Sequence, residues 1–543
     1  MKKYFLFYFL SFFLYAPAQV FVTPSAAGTG NGSSWANAAT LQNAISSMAA
    51  NSQIWLKSGV YNISTTLDIN NNASNVKIYG GFAGTETNLS QRDYLTNVTT
   101  LDGLTTTQIL IIRNDAIEVN GITFTNGFIT GTITGGTNPN TGGGAIRVMG
   151  SNSVLRNCKF LNNVSTSERG GGALFIWYGE GHLIENCEFQ GNVNRTADGN
   201  GGGAIHNWEE NVIIRNCKFI GNSSTNDGGA IYTWVYNLTI SGCIFENNHS
   251  DESGGAIHTR SIANLSNSVF KSNSCTENGG AIYTSEALKV TNTLFNQNTA
   301  VGLGGGIFNA EALYVSNSTF VSNQGSGIIH SNFQTSGSFT RLTHIFNSIF
   351  YNNTTLIPGK LADVDKEANG GTDLSDKDFR RNIFQSNTFG SNNLVGTNPL
   401  FENFAASNFA LQSSSPAKNF GENALYNTVS QTPVSASTDL AGNPRLGGSA
   451  IDLGAYEFPE NLSTSENDTS GKVSFYPNPV KDFLNISKIS SNSTYKIMNI
   501  TGQLLSKGNV HNNTVDVRKL DKGVYVILIE DGTKSYTKKF IKN

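Results

Sequence analysis

The sequence predicts an all-β chain whose centre is a right-handed parallel β-helix, with coils of about 25 residues. Two motifs alternate through the middle of the chain, FxxN and GGA followed by Ile or Leu. The Phe residues of the first motif are spaced 29, 30, 26, 25, 25, 25 and 30 residues apart. Apolar residues alternate with polar ones before each Phe, which indicates strands, and no helical period competes with that pattern.

Length and composition agree with a repeat protein. The chain has 543 residues and 57 glycines, and only 14% of its residues are charged. The length exceeds that of one ordinary compact domain, and the regular apolar period argues against disorder. A formal net charge of −3 offers no basic surface for nucleic acid, so that class of partner is excluded.

The repeat assigns a place in the coil to several residue types. An Asn precedes a Cys, Ser or Thr two residues before most of the repeat Phe residues, where a strand would bend, and such Asn side chains would bond neighbouring coils. The paired glycines allow a tight corner before the next strand. A column of small residues is interpreted as stacking inside the coil. It comprises Cys158, Cys187, Cys217, Cys243, Ser268, Thr293, Ser318 and Ser348.

The five cysteines do not form a metal or redox motif. They are Cys158, Cys187, Cys217, Cys243 and Cys275, and no CxxC occurs. An odd number leaves at least one unpaired, and the spacing leaves the pairing of the others open.

The two alternating motifs over residues 143 to 353 resemble the repeats of polymorphic outer-membrane proteins. In that family the repeats build parallel β-helix passenger regions, and many members are adhesins. The resemblance implies the fold, and it leaves the activity open.

The chain is divided at changes in this pattern. Residues 19–103 are predicted to be an N-terminal cap and the first coils, and residues 104–353 the β-helix repeats. The cap contains a short amphipathic helix with Leu41, Ile45 and Met48 on one face. Its order of elements resembles the caps of secreted β-helix proteins, including polysaccharide lyases, and a cap protects the open end of a solenoid.

Two segments follow the repeats. Residues 354–392 are predicted to be a charged insertion, a loop with some helix. Its Asp363-Val-Asp365-Lys-Glu367 run lacks the Gly and the distal Glu of a calcium loop, so no cofactor is predicted.

Residues 393–458 are predicted to return to strands as C-terminal coils. Their ending, DLAGNPRLGGSAIDLGAYEF, resembles a module called choice-of-anchor Q, found after β-helices in bacterial surface proteins. Four polar residues of this ending are interpreted as structural, namely Asp439, Arg445, Asp452 and Glu457.

The N-terminal end of the sequence predicts export. Residues 1–18 combine Lys2 and Lys3, an apolar run and Ala16-Pro17-Ala18, which is typical of a cleaved secretory signal peptide. No later run is apolar enough to span a bilayer, so no transmembrane segment is predicted.

The C-terminal end points the same way. Residues 459–471 are predicted to be a polar linker, and residues 472–543 a small β-sandwich. Its Tyr476-Pro-Asn-Pro479, Gly502-Gln503, Gly523-Val-Tyr-Val and final KKFIK motifs resemble the C-terminal sorting domain of type IX secretion. The resemblance implies the type IX secretion machinery as a partner. It also implies passage across both membranes, followed by attachment to the surface or release.

Two columns of residues are expected to point outward after each glycine corner, because side chains alternate along a strand. With coils about 4.8 Å apart, their rings would form a ladder. The inner column is Arg147, Phe175, His206, Tyr232, His258, Tyr283 and Phe308. The outer column is Met149, Trp177, Trp208, Trp234, Arg260, Ser285 and Ala310.

These columns carry the functional hypothesis. Aromatic faces edged by His and Arg suit sugar rings, so extracellular glycans or cell-surface material are the predicted ligands. The predicted binding residues are Phe175, Trp177, His206, Trp208, Tyr232, Trp234, His258, Arg260 and Tyr283. Two alternatives stay open. The longer corner loops would bury the rings, or an inverted side-chain phase would place them inside the coil.

Three functions remain open. The first is an adhesin or glycan-binding protein without catalysis. The second is a polysaccharide lyase or hydrolase, for which the candidate catalytic residues are His206, Tyr232, His258 and Arg260. Paired carboxylates for a hydrolase would come from Asp227, Glu252 and Glu277, which are also ordinary turn residues. The third is a structural component of the cell surface.

Overall fold

The computed structural model describes most of the chain as two compact units, Met1–Glu460 and Asn461–Asn543. The predicted signal peptide and residues 460–471 of the predicted linker lie outside the described residues. The described residues are 19–70, 73–131, 141–196, 201–234, 237–330, 343–366, 377–386, 388, 390–459, 473–487, 489–490, 492–499, 504–532 and 534–542. Within them, no helix is long and apolar enough to cross a bilayer.

The first unit is the predicted right-handed parallel β-helix. Each full coil adds one strand to three long parallel sheets, here called sheets 1, 2 and 3, and seven coils add a short strand to sheet 4 between sheets 2 and 3.

The strands of sheet 1 are Gln19–Val22, Gln53–Lys57, Lys77–Phe82, Glu118–Asn120, Val154–Arg156, Leu183–Glu185, Ile213–Arg215, Leu238–Ser241, Ala263–Ser266, Leu288–Thr291, Leu313–Ser316, Thr343–Phe346 and Lys377–Arg380. Those of sheet 2 are Gly59–Asn62, Thr99–Asp102, Thr123–Thr125, Lys159–Leu161, Glu188–Gln190, Lys218–Ile220, Ile244–Glu246, Val269–Lys271, Leu294–Asn296, Thr319–Val321, Ile349–Tyr351, Ile383–Phe384 and Leu394–Val395.

The strands of sheet 3 are Leu67–Ile69, Leu110–Ile112, Ile146–Val148, Leu174–Ile176, Ile205–Asn207, Ile231–Thr233, Ile257–Thr259, Ile282–Thr284, Ile307–Asn309, Ile328–His330 and Val364–Lys366. Those of sheet 4 are Phe128–Ile129, Val164–Ser165, Val193–Asn194, Ser223–Ser224, His249–Ser250, Ser274–Cys275 and Thr299–Ala300.

Two ladders fill the interior along the FxxN motif. The Phe rings stack from coil to coil, with centroids 4.5 Å apart between Phe160 and Phe189. The motif Asn residues are fully buried, and each bonds its neighbours along the axis. Asn248 Nδ2 donates to Asn273 Oδ1 at 2.9 Å and to the carbonyl of Phe219 at 2.9 Å. A buried amide is stable only when it is bonded in this way, so the Asn ladder fixes the register of the coils.

The corners follow the sequence pattern. The Asn before each Cys, Ser or Thr bends the strand in the left-handed region, as at Asn157, where φ is 55°. The next residue, such as Cys158, points inward and is buried, which confirms the interpretation of that column. At Gly143 φ is 74°, and a Cβ would lie 2.2 Å from the carbonyl oxygen of Ile146, so only glycine fits this corner.

The predicted cap helix spans Leu41–Ser47. The side chain of Thr40 caps it by accepting a hydrogen bond from the amide of Asn43 at 3.3 Å. Leu41, Ile45 and Met48 are buried in the solenoid core, so the helix covers apolar surface as predicted. A short 3₁₀ helix, Trp35–Asn37, precedes it, and another, Leu89–Gln91, lies in the first coils.

The prediction that residues 354–392 form an insertion with some helix is wrong in part. Its strands Val364–Lys366, Lys377–Arg380 and Ile383–Phe384 extend sheets 3, 1 and 2, and its described residues contain no helix. Val364 and Phe379 are buried in the core, while charged neighbours face outward. The segment is therefore a further coil, which the charged residues made hard to recognise in the sequence. Residues 367–376 lie outside the described part of the chain.

The prediction of C-terminal coils over residues 393–458 is also wrong beyond Val395. The chain forms an antiparallel hairpin, Phe401–Asn403 and Asn408–Leu411, then a helix, Asn423–Ser430, and a 3₁₀ helix, Val434–Ala436. Residues 401–458, here called the covering segment, pack against the outer surface of the last coils and do not continue them.

Apolar side chains on the outside of the late coils explain this packing. Lys159 and Glu188 occupy outward positions of sheet 2 in early coils, whereas Leu294 and Ile349 occupy the same column later and are buried by the covering segment. Covering this surface removes apolar area from water, at roughly 25 cal/mol per Å².

The four polar residues at the end of the covering segment are internal to it. Arg445 is fully buried, and its Nη2 donates to the carbonyls of Asp452 at 3.1 Å and Gly454 at 2.5 Å. Glu457 lies 3.7 Å from the Arg445 guanidinium, and Asp439 accepts the amide of Glu457 at 2.8 Å. These bonds tie the end of the segment together.

The second unit is the small antiparallel β domain predicted for residues 472–543. One sheet contains Ser474–Tyr476, Phe483–Ser487 and Thr514–Asp516, and the other contains Leu504–Asn509, Thr494–Asn499, Gly523–Asp531 and Lys534–Lys542. Leu484, Ile497, Ile527 and Phe540 belong to its buried core, which both sheets share.

Candidate functional site

Sheet 3 positions the two candidate columns. The Ile or Leu after each glycine corner, such as Ile205, points into the solenoid core. The next residue therefore lies on the outside of the coil, which excludes the inverted side-chain phase. Phe175, His206 and Tyr232 are in register on successive strands, so the inner column forms a continuous ladder.

The expectation that both columns are exposed is wrong for the inner column except at Tyr283, which is half-buried. Phe175, His206 and Tyr232 have no exposed surface, and His258 is 3% exposed. The corner loop at Gly142 lies directly on the Phe175 ring, because a Cβ at Gly142 would be 2.6 Å from that ring. Gln108 Nε2 holds this loop by donating to the carbonyls of Gly142 and Gly143, at 2.8 and 2.7 Å.

The outer column is partly exposed. Trp177 and Trp208 stack with their centroids 5.7 Å apart, and Trp208 and Trp234 stack at 5.8 Å. Trp234 is 41% exposed. The three indoles therefore form the tryptophan stripe, a ladder along the outside of three coils.

Arginines cover the ring faces of the tryptophan stripe. Arg169 Cζ lies 4.5 Å from the Trp177 centroid and 4.2 Å from that of Trp208. Arg260 Cζ lies 4.3 Å from the Trp234 centroid and is exposed. The expectation of free ring faces is therefore wrong, and the stripe presents indole edges and guanidinium groups to solvent.

The inner column holds the candidate acid–base groups away from solvent. Burial, with a smaller contribution from Arg169, lowers the pKa of His206 well below its ordinary value. Burial also raises the pKa of the Tyr232 hydroxyl, which has no hydrogen-bond partner. His206 is therefore neutral near pH 7, and Tyr232 keeps its proton.

His258 contacts one of the acids that precede the glycine corners. Its Nδ1 lies 2.9 Å from Asp227 Oδ1, which also accepts the amide of Ser253 at 3.1 Å. Burial and the neighbouring Asp227 and Glu277 raise the pKa of Glu252. The structure thus brings together the three acids of the hydrolase hypothesis, with Asp227 in contact with His258.

The described ranges contain no group of three or more His, Cys, Asp or Glu side chains arranged to hold a metal ion. In the Asp363–Glu367 run, which was compared with a calcium loop, the carboxylates bond to backbone amides. Asp363 accepts a hydrogen bond from the amide of Ser386 at 2.8 Å, and Asp365 accepts one from the amide of Leu361 at 2.7 Å. Glu367 lies outside the described residues.

Sequence reasoning missed an open groove at the corner between sheets 1 and 2. It has a volume of about 420 Å³, and its lining includes Tyr94, Asn157, Lys159, Asn186 and Lys218. The repeated Asn before the small column was a signal for its floor, but the wall formed by residues 94–98 comes from an earlier coil. Sequence reasoning also missed Arg169, which precedes a glycine corner.

Two family descriptions match the chain. Residues 173–355 match the right-handed beta helix region, and residues 474–543 match the secretion system C-terminal sorting domain. The protein is thus a β-helix protein that type IX secretion exports to the cell surface or the extracellular space.

Two solved structures are similar to the chain at low identity. Pectate lyase Pel9A is 14% identical over 82% of this chain and 97% of its own, with a TM-score of 0.46. The PL6 family polysaccharide lyase Pedsa3628 from Pseudopedobacter saltans is 14% identical over 81% of this chain and 99% of its own, with a TM-score of 0.45. No curated protein matches the chain.

Proposed function

We propose that this secreted protein binds glycans through the tryptophan stripe and acts as an adhesin or glycan-binding protein. The observation that carries the proposal is the stack of Trp177, Trp208 and Trp234 on the outside of three consecutive coils, with arginines on its faces. Indole edges and guanidinium groups combine apolar contact with hydrogen-bond donors, which suits the mixed surface of a sugar.

The burial of the inner column favours binding over catalysis. A general base must come within hydrogen-bond reach of the proton that it removes. His206 and Tyr232 are fully buried, and His258 is nearly so, so none of the three reaches a ligand on the stripe. Arg260 is exposed, and its guanidinium group offers hydrogen-bond donors and no acceptor, so it would bind a ligand.

The direction of the stripe suggests how a ligand would lie. Trp177, Trp208 and Trp234 follow the solenoid axis, so an extended polysaccharide would run across the coils. The exposed Tyr178, whose ring contacts Trp177 edge-on at 5.6 Å, extends the aromatic surface at one end. At the other end of the stripe, Arg260 lies against Trp234.

Retention on immobilised polysaccharides tests the proposal. Trp234→Ala and Trp208→Ala should each weaken retention at least about tenfold, which corresponds to about 1.4 kcal/mol. Leu95→Ala is the matched control, since Leu95 is 75% exposed and lines the groove at the corner of sheets 1 and 2. Folding of each variant is verified by its thermal transition.

Two outcomes would contradict the proposal. Unchanged retention of both tryptophan variants would exclude the stripe as the binding site. A loss of retention with Leu95→Ala alone would indicate that the groove is the binding site. Incubation of the wild-type protein with uronic-acid polysaccharides tests the lyase alternative, because a lyase would generate unsaturated products that absorb in the ultraviolet. Such products would replace binding with catalysis as the function.

A further inference from the structure

Two arginines beside the first tryptophan of the stripe have guanidinium nitrogens without a hydrogen-bond partner among the described residues. The carboxylate of Glu168 acts on Arg169. Arg147, in the inner column, is 1% exposed, and neither its Nε nor its Nη1 has a hydrogen-bond partner. Arg169 is half-buried, and its Nε is also buried without a partner. Each guanidinium lies against Trp177, with Cζ at 5.3 Å from the ring centroid for Arg147 and 4.5 Å for Arg169.

The charges around Arg147 are unfavourable. Burial and the positive charges of Arg113 and Arg169 lower the pKa of Arg147 to about 10, so it remains charged near pH 7. Arg113 is already paired with Asp68, at 2.9 Å. No carboxylate is among the groups that act on Arg147, and contact with aromatic rings offsets a buried charge only in part.

We propose that Arg169 binds one carboxylate or sulfate group of an acidic glycan, and that the buried charge of Arg147 stabilises the bound anion. The inference rests on the proposed function of the tryptophan stripe and names its ligand class. A guanidinium group binds such oxyanions with paired N–H donors, and the charge of Arg147, on which no described carboxylate acts, favours an anion beside Arg169.

The position of the pair favours a glycan as the source of the anion. Arg169 covers both Trp177 and Trp208 and is half-buried, while Arg147 is buried against the Trp177 indole. A sugar ring on the stripe would therefore place a charged substituent beside Arg169, and the positive charge of Arg147 would act on that substituent from within the protein.

Retention on three polysaccharides tests the site: polygalacturonate, dextran sulfate and neutral galactan. The wild-type protein should bind one or both acidic polymers at least about tenfold more tightly than galactan. Arg147→Met and Arg169→Gln should remove that preference. Arg215→Gln is the matched control, because Arg215 is an exposed arginine of sheet 1, away from the stripe.

The relative retention on polygalacturonate and dextran sulfate distinguishes a carboxylate from a sulfate. Equal retention of the wild-type protein on all three polymers, lost with Trp234→Ala and unaffected by Arg147→Met, would overturn the anion site while the proposed function stands. Retention on none of them would overturn the proposed function.

Thermal unfolding provides a readout that does not depend on glycan binding. All five tryptophans precede residue 235, so their fluorescence reports the solenoid. In chloride, Arg147→Met should unfold at the same temperature as the wild-type protein or higher, because an unpaired buried charge is removed. Replacing chloride with inorganic sulfate at equal ionic strength should stabilise the wild-type protein more than this variant. A variant that is less stable in chloride and gains equally from sulfate would show that Arg147 is structural, and would overturn the inference.

Discussion

The indole Nε1 of Trp208 donates a hydrogen bond to Nε2 of His206, which joins the exposed outer column to the buried inner column. The bond requires His206 to be neutral at Nε2, which its burial favours. The orientation of the central tryptophan of the stripe therefore depends on a histidine that no ligand can reach.

This histidine should make the stability of the solenoid depend on pH. The pKa of His206 in the folded protein is depressed, so the unfolded chain takes up a proton first as the pH falls. Stability is therefore present above the ordinary histidine pKa of about 6.5 and is lost below it, by at most about 1.4 kcal/mol per pH unit. His206→Phe, which repeats the residue at Phe175, should reduce the loss of melting temperature between pH 7.5 and 5.5, measured by tryptophan fluorescence.

His511→Phe is the control for this experiment, because His511 belongs to the second unit. A His206→Phe protein whose melting temperature falls as steeply as that of the wild type would contradict the assignment.

The Asn ladder should be sensitive to a single substitution in its middle. Asn248→Ala removes the Oδ1 that accepts the backbone amide of Asn222 at 3.0 Å and its Nδ2 at 2.9 Å. Two buried donors then lose an acceptor, so the free energy of unfolding should fall by about 2–4 kcal/mol. Denaturant titration measures the change. Asn264→Ala, at an exposed position of sheet 1, should have an effect within about 0.5 kcal/mol, and equal effects of both variants would refute the role of the ladder.

The covering segment should be needed to keep the late coils soluble. Leu425 in the helix Asn423–Ser430 is buried with Val429 against Phe346. Leu425→Asp places an unpaired charge in this contact and should detach the helix, which increases the binding of a hydrophobic dye and the rate of proteolysis. Thr428→Asp, at an exposed position of the same helix, is the control. Dye binding that rises equally in both variants would indicate a general effect of charge.

The thiols should be inert in the folded protein. All five cysteines are free and buried, and Cys158, Cys187, Cys217 and Cys243 lie in the interior column of small residues. A thiol reagent should therefore modify fewer than one thiol per chain under native conditions and five in denaturant. Fewer than five in denaturant would reveal a disulfide. Cys217→Ser should be tolerated, since Ser268 fills the same column two coils later.

The correct and incorrect predictions for the fold have a common origin. The same residue types recur inside each coil, so the sequence alone predicts that Phe160, Asn163 and Cys158 are buried. The outside does not repeat in this way. The charges near Asp378 concealed a strand that continues sheet 1, and the late apolar residue Leu294 is covered by a segment more than a hundred residues further along.

The candidate site shows the same division. The strand period placed Phe175 and Trp177 outside the coil, and that phase is confirmed. The period contains no information about whether a loop lies on top of the ring. The loop at Gly142 lies on the Phe175 ring. Arg169 covers ring faces of Trp177 and Trp208.

By itself, the sequence determined the solenoid and its inward ladders, because both depend on neighbours at a fixed spacing along the chain. The sorting domain was predicted from the resemblance of its motifs to a known family. Only the tertiary structure decided that Phe175, His206 and Tyr232 are buried, that arginines cover ring faces of the tryptophan stripe, and that no described carboxylate acts on Arg147. These properties depend on contacts between coils and distant loops, where burial removes water from some side chains and leaves it on others. The repeat determines whether a side chain points into or out of the coil, and the loops determine whether an outward side chain is exposed to solvent.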